Sequence, residues 1–213
     1  MIHFHIVTLF PESIESYLQS SILGRAREKK LIKISYYDPK KYAVGKHKRV
    51  DQRPYGGGPG MILEPTAVLK AAERAVRKKK GMTKIFFATD GEVFSEEMAK
   101  KLSRKKELLL VCGRYEGVDA RVQKILKAKK VSVGPYVLTG GELPAATLVD
   151  AVARFVPGVL GKIESLERSR VSSPEVYTRP DTLLWKGKKY KVPEVLKSGH
   201  HAKIDAWKQE KRS

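Results

Sequence analysis

Cysteine occurs once, at Cys112. That excludes an intramolecular disulfide framework and a cysteine-rich zinc site, and it fits the reducing conditions of the cytoplasm. Long apolar runs are missing too: none approaches the roughly eighteen residues that a membrane-spanning helix needs, so no membrane partner is expected. The opening stretch MIHFHIVTLFPES has no basic leader and is broken by Pro11, so it reads as a first strand rather than a signal peptide. Acidic residues are the minority charge. Against 23 Asp plus Glu stand 43 Lys plus Arg, a net charge of +20. Small neutral metabolites give no reason for such a surface, whereas a nucleic-acid backbone attracts it through electrostatics and counterion release.

Several catalytic signatures are absent as well. No phosphate-loop pattern and no complete dinucleotide fingerprint occurs, which speaks against nucleoside triphosphate hydrolysis. No Gly-x-Ser-x-Gly elbow follows a strand, so a Ser-His-Asp hydrolase is unsupported. The five histidines are scattered, and His200 and His201 are adjacent rather than spaced as helical metal ligands. No metal site is read from the sequence.

What is present is an alternation of apolar strand-length runs with helical patterns over 213 residues. IHFHIVTLF, LIKISYYD, KIFFAT, ELLLVC and VSVGPYVL read as extended runs. Between them, the stretch from Pro11 to Arg27, PTAVLKAAERAVRKKK, SEEMAKKLSRK and VDARVQKILKA read as helices; Ser95 and the acids after it form a helix-start signature. Ala145, Leu148, Val149 and Val152 follow as a helical stripe. The alternation predicts an α/β fold with a parallel sheet covered on both faces. PKKYAVGKHKRVDQRPYGGGPG carries too many breakers for regular structure and is expected to be a long functional loop. After Gly161 the sequence becomes charged, serine-rich and proline-bounded, a linker before a short basic tail.

Two glycine-bearing loops follow apolar runs. CGRYEGVDAR places Gly113, Tyr115, Glu116 and Gly117 at the carboxyl end of a strand, where open α/β sheets bind ligands. VSVGPYVLTGGELPA repeats the pattern with Gly134, Gly140 and Gly141 around Tyr136, Val137 and Leu138. One shared cleft is the functional reading, ordinary βα turns the structural one. Asp150 and Arg154, one helical turn apart, read as an exposed ion pair, or Arg154, which precedes the domain boundary, faces an interdomain cleft. RPYGGGPGM reads as a turn or as a loop whose bare backbone lets a ligand approach.

LFPE, GRA, RPYGGGPGM, LVCGRYEGVDAR, YVLTGGELPA, RFVPGVLG, YTRP and VPEVLKSGHHAKIDAW, in that order, strongly resemble the bacterial tRNA (guanine-N1) methyltransferases, which modify the guanosine immediately 3′ of the anticodon (position 37). The resemblance implies a SPOUT-class fold: a parallel sheet with a deep C-terminal trefoil knot, followed by a small helical C-terminal domain. It also implies a homodimer, S-adenosyl-L-methionine as cofactor, and tRNA rather than DNA as partner, with Mg2+ left open. On that pattern residues 1–160 form the knotted cofactor-binding domain, 161–176 a linker and 177–213 a short basic tRNA-binding domain. Cofactor-binding positions are Gly113, Tyr115, Glu116, Val133, Gly134, Pro135, Tyr136, Val137, Leu138, Gly140 and Gly141. RNA-binding positions are Arg53, Tyr55, Gly57, Gly58, Pro59, Gly60, Met61 and His201. Arg154 takes the role of the guanidinium that stabilises charge developing on the guanine ring.

The sequence departs from the family pattern in places. The family's catalytic aspartate, followed by Ser and Phe in the linker, is missing. An ungapped register puts Ser169 there; shifted registers offer Glu164 or Glu167, and Glu164 is favoured because Ser165 and Leu166 follow it. Pro135 replaces the usual aspartate and removes one N–H. Asp51 keeps one of two loop carboxylates while Gln52 replaces the other, and the tail is shorter than the family's. A non-catalytic tRNA-binding relative, or a SPOUT enzyme for another nucleoside, are the alternatives.

Overall fold

Apolar runs of strand length build a five-stranded parallel sheet in the order β2-β1-β6-β5-β7. In chain order the elements are β1 (Ile2–Val7), α1 (Glu12–Leu18), α2 (Ser21–Glu28), β2 (Ile32–Tyr37), a 3₁₀ turn at Pro39–Tyr42, β3 (Asp51–Gln52), β4 (Ile62–Leu63), α3 (Pro65–Val76), β5 (Thr83–Val93), α4 (Glu96–Ser103), β6 (Glu107–Val111), α5 (Ala120–Leu126), β7 (Lys129–Ser132) and α6 (Glu142–Ala153). The structure, a computed structural model, describes residues 1–43, 49–77, 81–160 and 175–211. The chain divides into two compact units, Met1–Leu160 and Gly161–Ser213.

Strand alternation sorts the core into two layers. Phe4, Ile6, Leu108 and Leu110 point to one face, where α1, α2, α4 and α6 cover them. Val7, Leu109 and Val111 point to the other, against α3 and α5. A sheet buried on both faces explains why these strands read as continuous apolar runs. The starts of three helices are set by side chains. Glu64 accepts from the N–H groups of Thr66 and Ala67 at 2.9 and 2.6 Å, with Pro65 at the first helical position of α3. Ser95 caps α4 through Met98 N at 3.2 Å, and Asp119 caps α5 through Arg121 N at 2.9 Å. Each such cap is worth about 1 kcal/mol.

Three expectations change in detail. The stretch from Pro11 to Arg27 forms two helices, the second opening at Ser21 with a φ of 50°. VSVGPYVL does not stay extended: β7 stops at Ser132, whose hydroxyl donates forward to Gly134 O at 3.0 Å, and Pro135 has no N–H to continue a ladder. Within the long breaker-rich loop lies β3, which pairs with β4 just beyond it and closes the RPYGGGPGM segment at its base.

The second unit contains a hairpin as well as helices. It comprises β8 (Thr182–Trp185), β9 (Lys188–Lys191), α7 (Glu194–Lys197) and α8 (His201–Glu210). Lys186 and Gly187 both have positive φ, 48° and 74°, as a two-residue hairpin turn requires. Tyr177 packs near Trp207 at a ring separation of 6.2 Å.

Candidate active site

The loops that leave β6 and β7 at their carboxyl ends meet over the start of α6. Gly141 N donates to Gly113 O at 2.9 Å, and Arg114 bridges Gly140. The approach is close enough to demand glycine: a Cβ on Gly141 would stand 2.6 Å from Cys112 Cα and 2.9 Å from Gly113 N. Between these loops and the ends of β5 and β7 lies a pocket of about 380 Å³, within the usual size for a small-molecule site. Phe86, Phe87, Val131 and Leu138 line its apolar side. The sequence-predicted cofactor positions Gly113, Tyr115, Glu116, Val133, Tyr136, Val137, Leu138, Gly140 and Gly141 all line it, whereas Gly134 and Pro135 do not.

The walls set an apolar face beside backbone polar groups. The rim residues Tyr136, Val137, Leu138 and Thr139 border this apolar surface. Tyr115, at a φ of 58°, is half exposed at the mouth. Burial, followed by the charge and hydrogen bond of Asp51, pushes its phenol above the ordinary value.

Beneath the loops lies a polar strut that the sequence reading missed. Glu142, 2 % exposed at the first position of α6, accepts the Thr8 hydroxyl at 2.7 Å. Its other oxygen faces Arg114 Nε at 2.9 Å, close in charge but off-axis for a hydrogen bond. The Arg114 guanidinium also lies over Phe10 at 4.8 Å. Both residues sit beside the noted glycines, in GRYEG and GGE, and that adjacency was the available signal. Cys112 is buried below them, and desolvation, reinforced by Glu142, raises its thiol pKa.

RPYGGGPGM flanks this pocket rather than lining it. Gly56, Gly57, Gly58 and Gly60 all have positive φ, which explains the glycine run. The segment is tied to the first glycine loop: Glu116 N donates to Met61 O at 3.0 Å, and Leu63 N to Gly117 O at 3.0 Å. Gly60 lies against the Glu116 side chain, while Tyr55 is fully exposed.

Arg154 lies elsewhere on the first unit. It follows the last turn of α6 and lines a groove of about 470 Å³ between α1 and α6 with Ser13, Tyr17, Leu143 and Asp150. Asp150 accepts the Tyr17 hydroxyl, and among the described residues no ion pair joins it to Arg154. A helix of twelve residues spans roughly 18 Å, so the pocket loops at its start and Arg154 at its end are not brought together within one chain. Glu164, Glu167 and Ser169 lie outside the described residues. His201 opens α8 of the second unit and is exposed.

The family model described as tRNA (Guanine-1)-methyltransferase TrmD matches residues 2–213. The chain is 40% identical over 213 residues to a protein of Clostridioides difficile named tRNA (guanine-N(1)-)-methyltransferase, covering 97% of this chain and 90% of that one. The chain belongs to the tRNA (guanine-1)-methyltransferase family. Proteins of the same name from Carboxydothermus hydrogenoformans and Staphylococcus epidermidis are each 42% identical, over 208 and 211 residues. They cover 96% and 97% of this chain, which spans 80% and 84% of theirs. No helix among the described residues is long and apolar enough to cross a membrane.

Proposed function

We propose that this chain is a cytoplasmic, homodimeric enzyme that transfers the methyl group of S-adenosyl-L-methionine to N1 of the guanosine 3′ of the anticodon, position 37, in tRNA. The observation that carries this reading is the pocket of about 380 Å³ at the carboxyl ends of β5, β6 and β7, in a family whose members are named for guanine-N1 methylation of tRNA. Gly113, Tyr115 and Glu116 on one side, and Tyr136 to Gly141 on the other, would hold the donor. When bound, it supplies an electrophilic methyl group on a sulfonium. The pairing of the two loops is consistent with threading of the chain into a trefoil knot.

The chain's own residues have two tasks in the transfer. Guanine N1 carries a proton at neutral pH, so a general base must accept it. Glu164 is our assignment for that base, with Glu167 as the alternative. Loss of the proton leaves negative charge on the ring and O6, and a guanidinium directed there stabilises the transition state more than the ground state. Arg154 is assigned that role. Because α6 separates it from the pocket of its own chain, it is proposed to serve the pocket of the second copy. Exposed Leu143 and half-exposed Tyr17 beside it give that copy an apolar surface to cover.

The net charge of +20 and one face of the β8–β9 hairpin support RNA as the partner. Leu183 pairs across from Tyr190 and Trp185 from Lys188, placing two exposed aromatic rings and an ammonium on the same face. Such a face suits stacking of unpaired bases beside phosphates.

The test is methylation of an unmodified tRNA transcript with mapping of the product, in the presence and absence of a chelator to test the Mg2+ expectation. 1-Methylguanosine at position 37 is expected. Arg154→Ala should lower kcat about 10²–10³-fold and Glu164→Gln about 10²–10⁴-fold, with donor binding unchanged. A dimeric protein that binds the donor and tRNA without producing 1-methylguanosine would overturn the reading.

A further inference from the structure

At the end of the sheet opposite the glycine loops, β1 and β6 bring two imidazoles and a carboxylate together. His3 and His5 alternate onto the α3 face of β1, and the parallel register sets Glu107 directly beside His3. Glu107 Oε2 lies 2.7 Å from His5 Nε2 and 3.5 Å from His3 Nδ1. The ring centroids are 3.7 Å apart with the planes tilted by 40°, and one nitrogen of each ring faces the one oxygen. His5 is fully buried and His3 nearly so. Among the described residues this is the one cluster of metal-ligating side chains whose ligand atoms all lie within 4.8 Å of one another.

We infer that His3 Nδ1, His5 Nε2 and Glu107 Oε2 form a three-ligand site for a divalent transition metal of the Zn²⁺ class. Three observations carry this. Zinc bonds of 2.0–2.2 Å in a tetrahedral arrangement place neighbouring ligand atoms about 3.3 Å apart, and the observed separations of 2.7 and 3.5 Å bracket that value. The far nitrogens are held by hydroxyls: His3 Nε2 meets Ser35 Oγ and His5 Nδ1 meets Tyr37 Oη, each at 2.9 Å. In the metal-bound form the ring protons sit on those far nitrogens and are donated to the hydroxyls, leaving both near lone pairs for the ion; this outer shell fixes tautomer and ring orientation. Finally, the site opens into a cavity of about 540 Å³, which gives an ion an entry path and room for a fourth ligand from water.

Two nitrogens and one oxygen are a poor donor set for Mg2+ and a good one for Zn²⁺, Co²⁺ or Ni²⁺. Lys33, Arg74 and Arg77 at the opening oppose a cation. All three are exposed, where salt screens them strongly, and the Glu107 carboxylate cancels one charge of the ion. The ion would pin β1 to β6 and, through the two hydroxyls, to β2. Its role is structural, at the pole of the sheet remote from the proposed methyl transfer.

The test uses the full chain after chelator treatment. Zn²⁺ is titrated in competition with a chromophoric chelator, and Co²⁺ is added separately to read coordination from its visible spectrum. One equivalent per chain is expected, with the spectrum of a four- or five-coordinate ion. A rise in melting temperature of about 5–10 °C is expected at a hundredfold excess over Kd. Glu107→Gln keeps hydrogen bonding but loses the anionic ligand, and His3→Gln alters the edge of the site with little disturbance of the core. Each should weaken binding at least tenfold. Joint replacement of His47, His200 and His201 by Asn should leave it unchanged. Absence of binding, binding indifferent to both site variants, or binding lost with the three other histidines would each overturn the inference.

Discussion

Replacing Gly141 by alanine tests whether the two glycine loops hold the pocket through backbone contact. The added methyl would lie 2.6 Å from Cys112 Cα and 2.9 Å from Cys112 Cβ and Gly113 N. None of these is the tip of a flexible side chain. Cys112 is fixed at the end of β6, with its N–H donating to Val7 O at 3.0 Å. Relief therefore requires the loops to separate, at the expense of the Gly141 to Gly113 hydrogen bond. Overpacking of this kind costs about 1–3 kcal/mol and the lost bond about 1 kcal/mol. Together these lower the melting temperature by roughly 4–16 °C at 2–4 °C per kcal/mol. Gly57→Ala is the control: a Cβ there meets nothing within 4 Å, and only its φ of +83° is unfavourable, costing about 1–2 kcal/mol. Calorimetric titration with S-adenosylhomocysteine, alongside thermal melting, distinguishes the two variants. Gly141→Ala should bind at least tenfold more weakly while Gly57→Ala binds as wild type. Unchanged melting and binding in Gly141→Ala would refute the claim that loop contact shapes the pocket.

Two further predictions concern the helix cap of α5 and the hairpin. Hydrogen bonding from Arg121 holds the Asp119 carboxyl below its ordinary range, so its contribution is present above the unfolded aspartate pKa and is lost as pH falls through the lower folded value. The melting difference between wild type and Asp119→Asn should therefore shrink on acidification below about pH 4; a difference that grows there refutes the assignment. Trp185→Ala should weaken tRNA binding by about 1–3 kcal/mol with donor affinity intact. Lys188→Ala should reduce the salt slope by about one. Equal binding by both variants and the wild type in filter or fluorescence assays would remove the hairpin from the RNA surface.

The sheet was legible because strands buried on both faces must be apolar throughout, and IHFHIV and ELLLV are so apart from His3, His5 and Glu107 at one end. Ser95 was legible as a start signal because its cap acts within a single turn. The glycine loops were legible because glycine runs after strands mark close backbone approach. What escaped depended on tertiary neighbours. Arg114 and Glu142 come from different loops and meet only when the chain returns to β1 and Thr8. His3, His5 and Glu107 follow a strand spacing of two plus a register between β1 and β6, neither of which a search for helical metal spacing detects. The termination of β7 at Ser132 rests on a hydroxyl donated forward to the backbone, which competes with the ladder and leaves no periodic trace.

The amide links at Met61 and Leu63 make the segment proposed to meet the target nucleotide and the wall of the proposed donor pocket one mechanical piece. A displacement of either is transmitted over a single peptide's distance, without a relay of side chains. Where such a strap distinguishes empty from filled states, thermodynamic reciprocity applies: whatever factor the methyl donor imposes on RNA affinity, RNA imposes on donor affinity. The order in which the two arrive then alters the kinetics but not the final coupling.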